Sequence, residues 1–261
     1  MALDEPVEIR IRGVLIELET SSAAMRRLLP EYYSSAKAGE MSNAAISEIG
    51  VVIRSLNGAL DKIANAIYFR AFGRNGRRTY FPLTVDEATL PALIRRNLDR
   101  LQDVDAPMVN VLRQCQPFNE KFAVLAVVKP LSRTHSHLGF ELVEMQPSLL
   151  IEEAENEPSY LPQGGLTGAA GWEGVAVETR YEQIVGVPGE GRVSLRTDWR
   201  FSDLGRSVLG TLLEIHNVTV KVTDLVTSEL GFPLTRKNVA AHSLRLMPAH
   251  SDIVAADNSD T

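Results

Sequence analysis

Four arginines, Arg70, Arg74, Arg77 and Arg78, interleave with Phe69, Phe72, Tyr80 and Phe81. Cations beside stacking rings are how many proteins hold a phosphate backbone and its bases, so Arg74, Arg77 and Arg78 are candidate RNA- or phosphate-binding residues. The plainer alternative is a set of solvated arginines at a helix end, where the exposed carbonyls favour positive charge. A second polar group lies just upstream. Arg54, Asn57 and Asp61 are spaced by three and four residues, which puts them on one side of a helix.

Other chemistry finds less support. His135 and His137 form an H-x-H pair that an extended segment would turn to one side. Zinc needs a third protein ligand. His216, His242 and His250 are distant, and no cysteine or carboxylate cluster joins the pair. The expectation is no metal and no cofactor. Gly164, Gly165, Gly168 and Gly171 lack the G-x-G-x-x-G order and lead into no convincing helix, so they read as a loop. There is no P-loop and no G-x-S-x-G elbow. Cys115 sits in an apolar segment, which leaves nucleophilic catalysis without a candidate.

The frame for these residues is a helix predicted over Ser42 to Phe72. Ile46, Ile49, Ile53, Leu56, Leu60, Ile63 and Ile67 recur in steps of three and four, and Ser42 is its N-cap. Gly50 and Gly58 each cost up to about 1 kcal/mol against alanine, so tertiary packing must hold the helix together. Before it, a helix is expected from Val7 to Leu29, ended by Pro30 and followed by a polar loop from Tyr32 to Met41. After it, Thr84 and Glu87 have capping-box spacing and open a helical segment to about Gln102, which Pro91 bends or divides. Asp105 and Pro107 start a short helix stopped at Pro117, and Asn119 caps an apolar segment ending before Pro130.

The pattern changes at Gly139. Phe140 to Ile151, Gly174 to Val187 and Arg192 to Phe201 read as strands of an antiparallel sheet. Glu152 to Trp172 reads as a flexible connection. Leu204 to Leu230 returns to helical periodicity, although its valines and threonines weaken the pattern. The domain expectation is a helical bundle over 1–139, then a sheet and closing helix over 140–232 that share its core. A mostly disordered tail, 233–261, follows. With 44% hydrophobic and 23% charged residues among 261, the composition is that of an ordinary globular protein. The net charge of −6 argues against a dedicated, strongly basic nucleic-acid binder. One cysteine, no visible signal peptide and no apolar run of about 20 residues lead to the expectation of a cytoplasmic protein without a membrane span.

Two segments together carry a resemblance. Ile49-Gly50, with Leu56-Asn57-Gly58-Ala59-Leu60-Asp61, resembles a helix of bacterial proteins in which the pattern runs iG-x-x-l-x-N-L-R-S-A-L-D-H-l. Gln116-Pro117-Phe118, Leu125 and Leu131-Ser132-Arg133-Thr134-His135 are similar to their later Q-P-Y/F, L-x-x-L and D-K-H motif. Those proteins are in turn distantly similar to the HEPN superfamily of helical bundles, many of them RNases or partners of nucleotide transferases. The resemblance implies an α+β fold, a HEPN-like bundle with a small antiparallel sheet and a closing C-terminal helix. It also implies a polar site of Arg54, Asp61 and His135, with an arginine and a histidine acting on a scissile phosphate. Here the sequence departs: Asn57 stands for the family's arginine, Lys62 for its histidine and Thr134 for the lysine before His135. Asp61 and His135 also have a structural reading, as a buried pair that fixes helix register. Two functions follow as expectations. One is a HEPN-like interaction or regulatory protein that binds a protein partner or itself, as a homodimer through the central helix. The other is an RNA-binding protein or RNase using Arg54, Asp61 and His135.

Overall fold

The computed structural model describes residues 4–76, 78–134, 138–151, 185–186 and 191–234. Its organising element is helix α2 (Asn43–Phe72). Ser42 caps it as the sequence predicts, its Oγ accepting the Ala45 N–H at 3.1 Å. Gly73 closes it in the left-handed conformation (φ 66°), where a glycine is free of Cβ strain. Ile49, Ile53, Leu56, Leu60, Ile63 and Ile67 are all buried. Each such side chain contributes roughly 1.5–3 kcal/mol by leaving water.

Helix α1 (Asp4–Ala38) forms a hairpin with α2 through the turn at Gly39. It runs straight through Pro30 and the Tyr32–Ala38 stretch, where the sequence reading has a stop and a loop. Packing accounts for the correction. Tyr32 and Ser35 are buried, and the Tyr32 hydroxyl is bonded to the backbone of Trp199. Those contacts outweigh the one backbone hydrogen bond that Pro30 cannot donate. The same hairpin explains Gly58 in α2, because a Cβ on it would lie 3.3 Å from the Glu17 carboxyl carbon of α1.

Asp86, not Thr84, starts the next helical stretch. It caps a 3-10 turn, Glu87–Thr89, that leads into α3 (Leu90–Leu98). Pro91 lies in the first turn of α3, where its missing N–H costs nothing, so it begins the helix rather than bending it. Short α4 (Leu101–Val104) follows. Helix α5 (Ala106–Gln114) is capped by Asp105, which accepts the Met108 N–H at 3.0 Å. Asn119 stands at the N-cap of the next helical segment as expected, its carbonyl accepting the Phe122 N–H at 2.8 Å, but its side chain makes no capping bond there. Its Nδ2 donates to the Arg113 and Gln114 carbonyls and so finishes α5 instead. A 3-10 segment, Glu120–Val127, then passes into α6 (Val128–Thr134), with Pro130 inside its first turn.

Strands β1 (Phe140–Ile151), β2 (Val185–Gly186), β3 (Gly191–Phe201) and β4 (Arg206–Ser207) form one sheet in which β3 lies between β1 and β2 and also pairs β4. The β2–β3 and β3–β4 pairings are antiparallel. Of the expected strand Gly174 to Val187, only Val185–Gly186 falls among the described residues. The Glu152 to Trp172 connection and nearly all of the 233–261 tail lie outside them.

Helix α7 (Val208–Glu229) packs on α2, α5 and α1. Its threonines fit because Thr219 and Thr223 turn their hydroxyls onto the Ile215 and Thr219 carbonyls, both at 2.8 Å. The chain divides into two compact units. Among the described residues, the first holds those up to Leu142 together with residues 199–234, including α7; the second holds those between Val143 and Asp198. The architecture is therefore α+β, a helical bundle with a small sheet. No helix among the described residues is long and apolar enough to cross a membrane.

Candidate functional site

Asp61 and Gln116, one from each segment of the resemblance, hold the same stretch of irregular chain between α2 and α3. The Phe81 N–H donates to Asp61 Oδ1 at 3.1 Å, and the Thr84 N–H donates to Gln116 Oε1 at 3.1 Å. Lys129 of α6 donates from Nζ to the Phe81 carbonyl at 2.7 Å. Gln116, itself fully buried, uses its amide nitrogen on the Leu112 carbonyl at 2.8 Å. The segment Phe81–Thr84 is thus a strap fastened by three polar side chains, with the buried Phe81 ring beneath it. Such fastening replaces the ladder or helix bonds that this backbone lacks.

The electrostatics follow from half-burial. Desolvation raises the Asp61 pKa above its usual value, against the Phe81 N–H, the Lys129 charge and the Asn57 amide, which all lower it. Desolvation likewise lowers the Lys129 pKa; Asp61 opposes that shift, and Arg96 and Arg133 reinforce it. Asp61 and Lys129 thus flank Phe81, one on its N–H and the other on its carbonyl.

The positions at which the sequence departs from the resembling pattern have their own partners. Asn57, where the family pattern carries arginine, donates to Asp61 Oδ2 at 3.2 Å. Lys62, where it carries histidine, points to α1 and pairs with Glu17 Oε1 at 2.6 Å. Arg54 is exposed two helical turns before Asp61 and has no hydrogen bond or ion pair among the described residues. His135 and His137 lie outside the described residues, so the expected Asp61–His135 contact does too. Among the described residues no three metal-ligand side chains converge.

At the end of α2, Arg74 is exposed and 3.9 Å from Asp99, Arg78 is exposed, and Arg77 is outside the described residues. Arg10 of α1 lies over the Phe69 ring at 4.3 Å and bonds to the Asn75 side chain. The aromatic-arginine pattern is thus divided between an α1 contact and solvated arginines. Among the described residues, no hydrogen bond or ion pair joins Arg74 or Arg78 to Asp61.

Two groups escaped the sequence reading. Lys129 gives no motif signal; only its place between Val128 and Pro130 in an apolar stretch sets it apart. His216 of α7 is fully buried, with Nδ1 3.1 Å from Ser21 Oγ and Nε2 3.4 Å from Ser22 Oγ. A histidine amid the apolar run of α7 opposite a Ser-Ser pair in α1 was the available clue. Closed to solvent, it joins α1 to α7 and can meet no substrate. Cys115 is also buried, and desolvation pushes its thiol up to about 12 despite the nearby Lys221 charge, so it is no nucleophile.

Comparison with protein-family models, with curated proteins and with solved structures finds no match to this chain.

Proposed function

We propose that this chain is a HEPN-like binding protein that acts by associating with a protein partner or with itself, and that the Asp61 group is an internal brace. The observation that carries this reading is the occupation of Asp61. Both of its oxygens accept hydrogen bonds, from the Phe81 N–H and from Asn57, and Lys129 donates to the carbonyl of the same residue. A general base must reach the proton it removes, and a carboxylate fastened to backbone is poorly placed to do so. The Asn57 and Lys62 substitutions support the same view, since each gives up phosphate chemistry for an internal bond.

Because the apolar residues of α2 are buried against α1, α6 and α7, the helix offers a partner little apolar surface. Ile9 and Ile16 of α1, each 58% exposed and seven residues apart, form an apolar strip that a second copy of the chain could cover. Two experiments test the reading. Purified protein should not cleave RNA beyond background, and cleavage abolished in a folded Asp61→Asn variant would overturn the brace. Sedimentation velocity should show self-association weakened in an Ile9→Glu/Ile16→Glu variant. The same monomer in both proteins would assign association to a different partner.

A further inference from the structure

Arg12, Arg27, Arg74, Arg100, Arg113 and Arg206 each lie within 4 Å of a carboxylate. Arg10 of α1 does not, although it is fixed on two sides. Its guanidinium carbon lies over the Phe69 ring of α2, 4.3 Å from the centroid, and its Nη2 donates to Asn75 Oδ1 in the chain beyond that helix. Arg10 is half-buried and meets no carboxylate among the described residues. The acid nearest to it in sequence, Glu8, is committed to Arg12 at 2.8 Å. A guanidinium carries five N–H donors in one plane, and Asn75 uses only part of that set. The ring holds the plane in place, so little side-chain freedom is left to lose when an anion arrives. Half-burial weakens the hydration of this charge, and no fixed anion replaces it.

The residues around Arg10 define what kind of anion suits it. Arg70 follows Phe69 directly and is exposed. Arg74 precedes Asn75 and is exposed, and its pair with Asp99 at 3.9 Å is loose and screened by water. Each of these cations adjoins, along the chain, a residue that Arg10 touches. Ile9, next to Arg10 in α1, is 58% exposed. The rings here already have partners: Phe69 lies under Arg10, and Phe72 packs 4.6 Å from Tyr68. A nucleic acid base would need a ring to stack on, and the net charge of −6 opposes a long polyanion. Cations beside an aliphatic side chain suit a carboxylate beside an apolar residue, which is the chemistry of a polypeptide.

We infer that the surface centred on Arg10 docks an acidic segment of a protein partner. One carboxylate of that segment sits on the Arg10 guanidinium, others are drawn by Arg70 and Arg74, and an apolar side chain packs on Ile9. The inference rests on the reading of this chain as a binding protein and names the chemistry of its partner. Arg10 is the anchor because its fork is already oriented, and a flexible ammonium in its place would lack that geometry.

The test is fluorescence anisotropy with a short labelled peptide of glutamates that carries leucine at every third or fourth position. Its counterpart with glutamine for glutamate and a labelled oligouridylate are run beside it. The glutamate peptide should bind the full chain at low salt, and the glutamine peptide should bind about tenfold more weakly or worse. Arg10→Ala/Arg70→Ala should lose about tenfold in affinity for the glutamate peptide, with an unchanged circular dichroism spectrum. Arg10→Lys keeps the charge without the planar fork and should still weaken binding. Arg27→Ala/Arg113→Ala removes the same charge elsewhere and should change little. The proposal is overturned if the glutamate peptide does not bind, if the glutamine peptide binds as well, or if the oligouridylate binds more tightly than either. It is also overturned if the two double variants lose affinity equally, or if Arg10→Lys binds as wild type does. None of these outcomes alters the RNA-cleavage or sedimentation results, so this inference and the reading beneath it fail separately.

Discussion

Helix α2 and the Phe81–Thr84 strap adjoin each other but are held by opposite means. The helix is fixed by many interchangeable apolar contacts, with Leu56, Leu60 and Ile63 all buried. The strap is fixed by three individual hydrogen bonds whose partners lie 20, 32 and 48 positions away in sequence. Apolar burial is non-directional and adds up over a surface. A polar anchor either meets its partner or leaves a costly unpaired group. The helix should therefore yield gradually to substitution, and the strap should release at single atoms.

The largest effect is expected in the helix. Leu60→Ala should cost about 2–5 kcal/mol, the range for truncating a buried leucine, measured by urea unfolding. A cost under about half a kcal/mol would remove Leu60 from the core and with it this side of the comparison. In the strap, Gln116→Ala leaves the Thr84 N–H and the Leu112 carbonyl without their partner. It should cost about 1–3 kcal/mol and speed amide exchange at Thr84 before it does so in α2. Equal exchange at both places would mean that the strap and helix open as one.

Asp61→Asn sharpens the contrast by pH. The amide side chain keeps an oxygen for the Phe81 N–H and loses the charge. A carboxyl whose pKa is raised on folding binds its proton more tightly in the folded state. Its contribution is therefore fully present below the ordinary aspartate pKa and is lost as pH rises through the raised value. The variant lacks that loss, so the stability of wild type relative to Asp61→Asn should fall across this window. A difference independent of pH would show that the Asp61 charge does not matter. The smallest effect belongs to Arg74→Ala, which breaks a long and exposed ion pair and should change stability by no more than about 0.5 kcal/mol.

The same contrast explains how much could be read in the sequence. Periodicity is a local signal, and it placed α2, its Ser42 cap and its buried face correctly. Asp105 as a cap and the strands Phe140 to Ile151 and Arg192 to Phe201 were equally local. The continuation of α1 past Pro30 was not, because it depends on Tyr32 meeting Trp199, 167 positions on. Asn119 was legible in position only: it stands at the N-cap of Glu120–Val127, but its side chain reaches back to the Arg113 and Gln114 carbonyls. At the site, the resemblance singled out Asp61 and Gln116, whose work proved to be on one strap. No spacing rule could add Lys129, which meets the Asp61-bound strap only across the folded bundle.

The bond between Tyr32 and Trp199 bears on the order of folding. One phenol oxygen donates to the Trp199 carbonyl at 3.2 Å and takes the Trp199 N–H at 3.1 Å, so a side chain of α1 does for β3 what a neighbouring strand would do. That hydroxyl and the short β4 pairing at Arg200 and Phe201 mark the register at this end of β3, and a slip of one would turn Trp199 and Phe201 outward. Closing so long a loop is entropically slow and is rewarded only once the helices are in place. The α1–α2 hairpin, whose contacts are close in sequence, should thus form in an earlier kinetic phase. The base of the sheet should follow and slow markedly in Tyr32→Phe, a change that leaves the ring and removes the oxygen.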